Sequence, residues 1–226
     1  MLGKRVSLLA PLFFGALLTG CQTIPSGTQV SLNDPPKIHE TTLLSSTAMP
    51  AGTPTNSAPP GFISFCSRFL DQCVTSQNNA PAVHLDLGTQ AVLDTVNQSV
   101  NRSIWPESDE RHYGVAEFWD IPKDGYGNCH DYALTKRKQL IDAGLPERAL
   151  RIAIVVTPRE NRHAVLTVTT DRGDLVLDNL NDAVKPWSEV DYQWIERQDN
   201  DGGLGWVNLS TALAMNGADK PTSATK

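Results

Sequence analysis

The sequence predicts an α+β fold in which a helix with a cysteine at its start packs on a meandering antiparallel sheet. Three observations lead there. "LGTQAVLDTVNQSVNRSI" places Val92, Val96, Val100 and Ile104 four residues apart, the row of an amphipathic helix. "NCHDYALTKRKQLIDAG" reads as a second helix. "LRIAIVV" (150–156), "HAVLTVTT" (163–170) and "LVLDNL" (175–180) read as strands, the last two joined by the hairpin sequence "DRGD". Helices followed by strands, rather than alternating with them, give an α+β layer order.

Taken from the N-terminus, the chain opens like an export signal. Lys4 and Arg5 precede an apolar run from Val6 to Leu18, broken by Ser7, Pro11 and Gly15. That run is shorter than the about 20 residues a membrane span needs. It ends in "LLTGC", which resembles a bacterial lipobox: residues 1–20 would be removed and Cys21 acylated. The alternative is an ordinary cleaved secretory signal with Cys21 incidental. Gln22 after Cys21 points to the outer membrane, facing the periplasm. Loss of Lys4 and Arg5 takes the formal charge from −6 to −8. An acidic chain without a Lys/Arg cluster argues against nucleic acid as a partner.

Residues 21–60 are rich in Pro, Ser and Thr ("SSTAMPAGTPTNSAPP") and read as a disordered tether; 211–226 reads as a disordered tail. One domain is left, 61–210, long enough for a proper core. Within it Thr89 is a plausible N-cap of the first helix. "WPESDERHYGVAEFWDIPKDGYG", broken by Pro and Gly, reads as an ordered loop lining a cleft. Asn128 caps the second helix, Ala133, Leu134, Leu140 and Ile141 form its apolar side, Lys136 and Lys138 face water, and Gly144 with Pro146 ends it.

With Cys21 lipidated, Cys66, Cys73 and Cys129 remain. Cys66 and Cys73 make the natural disulfide; two buried free thiols are the alternative. Seven residues of unbroken helix rise about 10.5 Å, too far for a bridge, so a helix end or turn must fall between them. Cys129 is then left without a partner, at a helix N-terminus where backbone N–H groups and the macrodipole favour thiolate. The N–H of Cys129 is one candidate oxyanion donor.

A cysteine nucleophile needs a base and the base an orienting group. His130 adjoins the thiol but points about 100° away along the helix, a poor base. His163 opens a strand and can face the helix start. Asp178 is a carboxylate in an apolar strand, costly unless hydrogen-bonded. With Asp171-Arg172 as the hairpin loop, Asp178 lies opposite Val165, one diagonal step from His163; with Arg172-Gly173 the gap grows and contact fails without a bulge. The sequence leaves both open. Trp119, Tyr126 and Asn128 are candidate cleft residues. A zinc site from Cys129, His130 and His163 lacks a fourth ligand.

The run of "VNQSVNRSI", "YGVAEFWDIP", "GYGNCHDYALTKRKQLIDAGLP" and "HAVLTVTTDRGDLVLDNL" resembles the bacterial transglutaminase-like cysteine peptidases, from about Phe65 to Asn200. The resemblance implies a papain/transglutaminase-like fold, with Cys129 as nucleophile, His163 as base and Asp178 as orienting residue. It implies a periplasmic enzyme acting on an envelope or surface protein. That family includes a protease that trims biofilm adhesins, in which acidic residues beside the cysteine bind calcium. Here the run is Asn128-Cys129-His130-Asp131, whose neutral Asn and His are poor calcium ligands. No cofactor is therefore expected, and Asp131 is the remaining calcium candidate. An acyltransferase sharing the chemistry, and a non-catalytic lipoprotein binding module on the same fold, are the rival functions.

Overall fold

The computed structural model describes residues 42–73, 80–159, 161–201, 203–210 and 213. The export segment, Cys21 and nearly all of the expected tail lie outside the described residues. Among the described residues, no helix is long and apolar enough to cross a membrane.

Helix α1 (Pro60–Arg68) starts on a proline, whose missing N–H costs nothing in a first turn. It stops at Phe69, before a 3₁₀ turn at Leu70–Gln72. That break brings the Cα atoms of Cys66 and Cys73 to 5.6 Å, and the two are disulfide-bonded. Helix α2 (Leu87–Ser103) buries Leu93, Val96 and Val100. Its N-cap is Asp86, accepting from the N–H of Thr89, and not Thr89 itself. The long loop that follows holds a short parallel pair, β2 (Trp105–Pro106) with β3 (Tyr126–Gly127), and a single turn, α3 (Asp109–His112). Helix α4 (Cys129–Asp142) starts at the expected cap, Asn128.

The main sheet is built on central strands β4 (Leu150–Val156), β5 (Arg162–Thr170) and β6 (Gly173–Asp178), bracketed by β7 (Asn181–Pro186), β8 (Gln193–Gln198), β9 (Trp206–Asn208) and β1 (Thr53–Pro54). Its order is β1-β9-β8-β4-β5-β6-β7, every pair antiparallel. Alternation along the strands makes two cores. Ile152, Leu166 and Leu177 pack with the helices; Ala153, Val155, Val165 and Val176 pack with Met49, Trp194 and Val207 on the other face.

Two expectations fail here for physical reasons. The predicted tether does not include all of 42–60. Met49 is buried and donates its N–H to Asp174 at 2.6 Å, Ser46 pairs with Arg172, and Thr53–Pro54 adds a strand beside β9. A segment poor in apolar residues is held by backbone pairing rather than by its own core. The predicted strand 175–180 ends at Asp178, because Asn179 and Leu180 turn the chain into β7.

Candidate active site

The hairpin loop is Asp171-Arg172, with Thr170 opposite Gly173 and Leu166 opposite Leu177. Gly173 takes φ +100°, and a Cβ there would meet the Ser46 backbone at 2.4 Å, so glycine alone suits this turn. Continued one residue beyond Leu166–Leu177, that register sets Asp178 opposite Val165, a diagonal step from His163. Across that step His163 Nε2 and Asp178 Oδ1 are 2.8 Å apart, both residues buried. The carboxylate is saturated: Oδ1 also accepts the N–H of Leu180 at 2.9 Å, and Oδ2 accepts the Tyr192 hydroxyl at 2.5 Å. Tyr192 went unnoticed in the sequence, since nothing marks a tyrosine fourteen residues away as the carboxylate's second partner.

Nε2 is committed to Asp178, which leaves Nδ1 of His163 as the nitrogen available to Cys129, and the two residues line one cleft. Cys129 is the first residue of α4 and a free thiol. Burial pushes that thiol up, but hydrogen bonds and charge from His130 and His163 outweigh it and bring it down to about 6. Burial pushes His163 down, and Asp178 and the thiol more than offset this, raising it to about 9. Between those values the stable form is thiolate beside imidazolium. Asp178 stays below the usual carboxylate range: burial raises it and His163 lowers it further.

The helix start is built by a capping box. Asp131 Oδ2 accepts the N–H of Asn128 at 2.8 Å, while Asn128 Oδ1 accepts the N–H of Cys129 at 2.7 Å. That N–H, a candidate oxyanion donor by sequence, is therefore engaged by the cap. Gly127 is required here because its Cβ would lie 2.9 Å from Asp131 Cβ.

A cleft of about 690 Å³ opens over the sulfur, bounded by Pro106–Ser108, Gly127–Cys129, Tyr132, Thr157–Arg159, Asn161–His163, Asn179–Leu180 and Tyr192. Of the expected cleft residues, Asn128 lines it. Trp119 does not: it is 2 % exposed, packed against Phe62 in the core. Tyr126 is half-exposed, its ring 6.4 Å from His112, and is not part of the lining. Lys136, expected to face water, is fully buried, and among the described residues its Nζ meets no acceptor. Burial lowers it to about 7 against the pull of Asp178 and Asp182. Helical periodicity counted it as polar, yet α4 is covered on several sides, by α2, β4, β5 and β6.

Asp109, His130 and Asp131 bring one ligand atom each to within 4.8 Å of one another, a group able to hold a metal ion. All three are buried. His130, set aside as a base, helps to bring the thiol down.

Residues 52–213 match the family of bacterial transglutaminase-like cysteine proteinases, BTLCP. The chain belongs to that family. Solved structures of Legionella pneumophila LapG are similar to it. An EGTA-treated form has 26% identity over 48% of this chain and 62% of that one, with a TM-score of 0.43. A calcium-bound form has 24% identity over 53% and 68%, at 0.46, and a further LapG structure 25% over 57% and 75%, at 0.46. The chain thus spans less than two thirds of the first of these. No curated protein matches.

Proposed function

We propose that the protein is a cysteine peptidase that hydrolyses an amide bond in an envelope or surface protein, through Cys129, His163 and Asp178. The observation that carries this is a free thiol at a capped helix start and a buried His163–Asp178 pair, with Cys129 and His163 lining one open cleft. The thiolate of Cys129 attacks the carbonyl carbon, and the π electrons move to oxygen. As the tetrahedral species collapses, the C–N bond breaks and His163 gives its proton to the leaving amine, leaving a thioester. Water then attacks the thioester carbonyl and yields its proton to His163. The C–S bond breaks, and the thiolate–imidazolium pair returns. Asp178, fixed by Leu180 N–H and the Tyr192 hydroxyl, holds the imidazole orientation and stabilises its charge.

The enzyme is anchored by lipid on Cys21 and faces the periplasm, most simply from the outer membrane; the lipobox-like "LLTGC" and Gln22 support this. Metabolic labelling with a fatty-acid probe tests it: label lost in Cys21→Ser supports the anchor, and an unlabelled wild type ends it. For the chemistry, envelope and surface proteins are compared between cells carrying wild type and Cys129→Ala. A protein shortened only with wild type supports peptidase action; identical patterns, or incorporation of an added amine probe in place of a cut, refute it.

A further inference from the structure

We infer that the His130 side chain holds the position a divalent cation would take between Asp109 and Asp131, tying the loop to the start of α4 without metal. The two carboxylates come from separate elements, α3 and α4, and are 1 % and 0 % exposed. Two buried carboxylates this close need a positive partner, an ion or a side chain, or else a proton held between them. His130 Nε2 lies 3.3 Å from Asp109 Oδ2 and 3.3 Å from Asp131 Oδ1, spanning the pair. The ring cannot swing freely, because it stacks on Trp119 at 5.0 Å with planes 3° apart. Trp119 is itself fixed by its Nε1 bond to Glu117.

The donor set does not suit calcium, which takes six to eight oxygens at about 2.3–2.6 Å. Here it would find two carboxylates and a nitrogen. Three of the four carboxylate oxygens already accept backbone N–H groups, from Phe118, Asp120 and Asn128. Of these four, Asp109 Oδ1 alone has no partner among the described residues. The same bonds show what the cluster does: Asp109 gathers the loop at Phe118, and Asp131 joins Asp120 to the helix cap. His130, the residue after Cys129 on the first turn of α4, sets this cluster directly beside the thiol, as a positioning residue.

The test is thermal melting of the purified chain from residue 22, in chelator and then in millimolar calcium, zinc or manganese. Wild type is expected to melt within about 1 °C in all conditions. His130→Glu converges three carboxylates, so it should melt lower in chelator and recover by about 5 °C or more in calcium. His130→Gln, neutral and of similar length, should melt low in every condition. It should also slow alkylation of Cys129 at pH 6 by about tenfold, which a purely structural role would not do. A wild type that loses stability in chelator and regains it with any of the metals overturns the inference, as does a His130→Glu protein that melts like wild type and ignores calcium. If His130→Glu fails to fold in every condition, the wild-type comparison and His130→Gln decide alone. None of these readouts involves peptide cleavage. A failure here is therefore distinct from failure of the proposed peptidase activity, which the envelope-protein comparison reads.

Discussion

Replacing Asp178 by Asn tests how the reactive thiol is sustained. Burial alone would lower His163, yet Asp178 and the thiol raise it from 6.5 to about 9. That rise is worth about 3 kcal/mol at 1.36 kcal/mol per pH unit. The bond from Asp178 is the largest raising contribution, so we assign it about 2 kcal/mol, roughly 30-fold in the population of the thiolate–imidazolium pair. Asp178→Asn should therefore bring the His163 titration down from about 9 by roughly 1.5 pH units. The ring would still be protonated at pH 6, so the Cys129 midpoint near 6 should move little. Nitrogen-15 NMR of the imidazole reads the His163 midpoint and needs no substrate. Tyr192→Phe, which keeps the carboxylate and loses one hydroxyl bond, should lower that midpoint less. An Asp178→Asn protein that is folded by circular dichroism, with a His163 midpoint still near 9, would refute the reasoning.

Four other outcomes follow. Once a substrate is found, kcat/KM should be bell-shaped, falling below about pH 6 as Cys129 takes a proton and above about 9 as His163 loses one. Lys136→Met should stabilise the fold at pH 6 by about 1–3 kcal/mol in urea unfolding. Because the lysine is depressed to about 7 in the fold, the unfolded chain binds more protons between that value and about 10.5, so wild type gains stability with pH and the advantage should shrink by pH 10. Cys66→Ser with Cys73→Ser should cost about 2.5 kcal/mol, the loop-closure value for so short a ring. A chain beginning at residue 56 should melt below one beginning at residue 42, because it lacks Met49 and strand β1; equal melting would restore the tether to residue 60.

The parts legible in the sequence were those written as local periodicity. Val96 and Val100 mark α2, the alternation of 163–170 marks β5, and Asn128 marks the start of α4. The hairpin register was not legible, since Gly173 suited two loops. What selected one is a long-range approach of Ser46 to that glycine, invisible in a segment read as tether. Lys136 was misplaced for a related reason: polarity implies exposure only where a helix has an open side. The cleft role given to Trp119 came from composition, whereas its position follows from packing on Phe62 and His130. Asp109 carried no mark at all, because its importance lies in meeting Asp131 from another element.

The most direct measurement is a pH titration of the thiolate ultraviolet absorbance, taken as the difference between wild type and Cys129→Ser. A thiolate already formed above about pH 6, and lost to higher pH in His163→Ala, is the expected result. A single transition near the ordinary thiol value of about 8.5, unmoved by His163→Ala, would contradict the account.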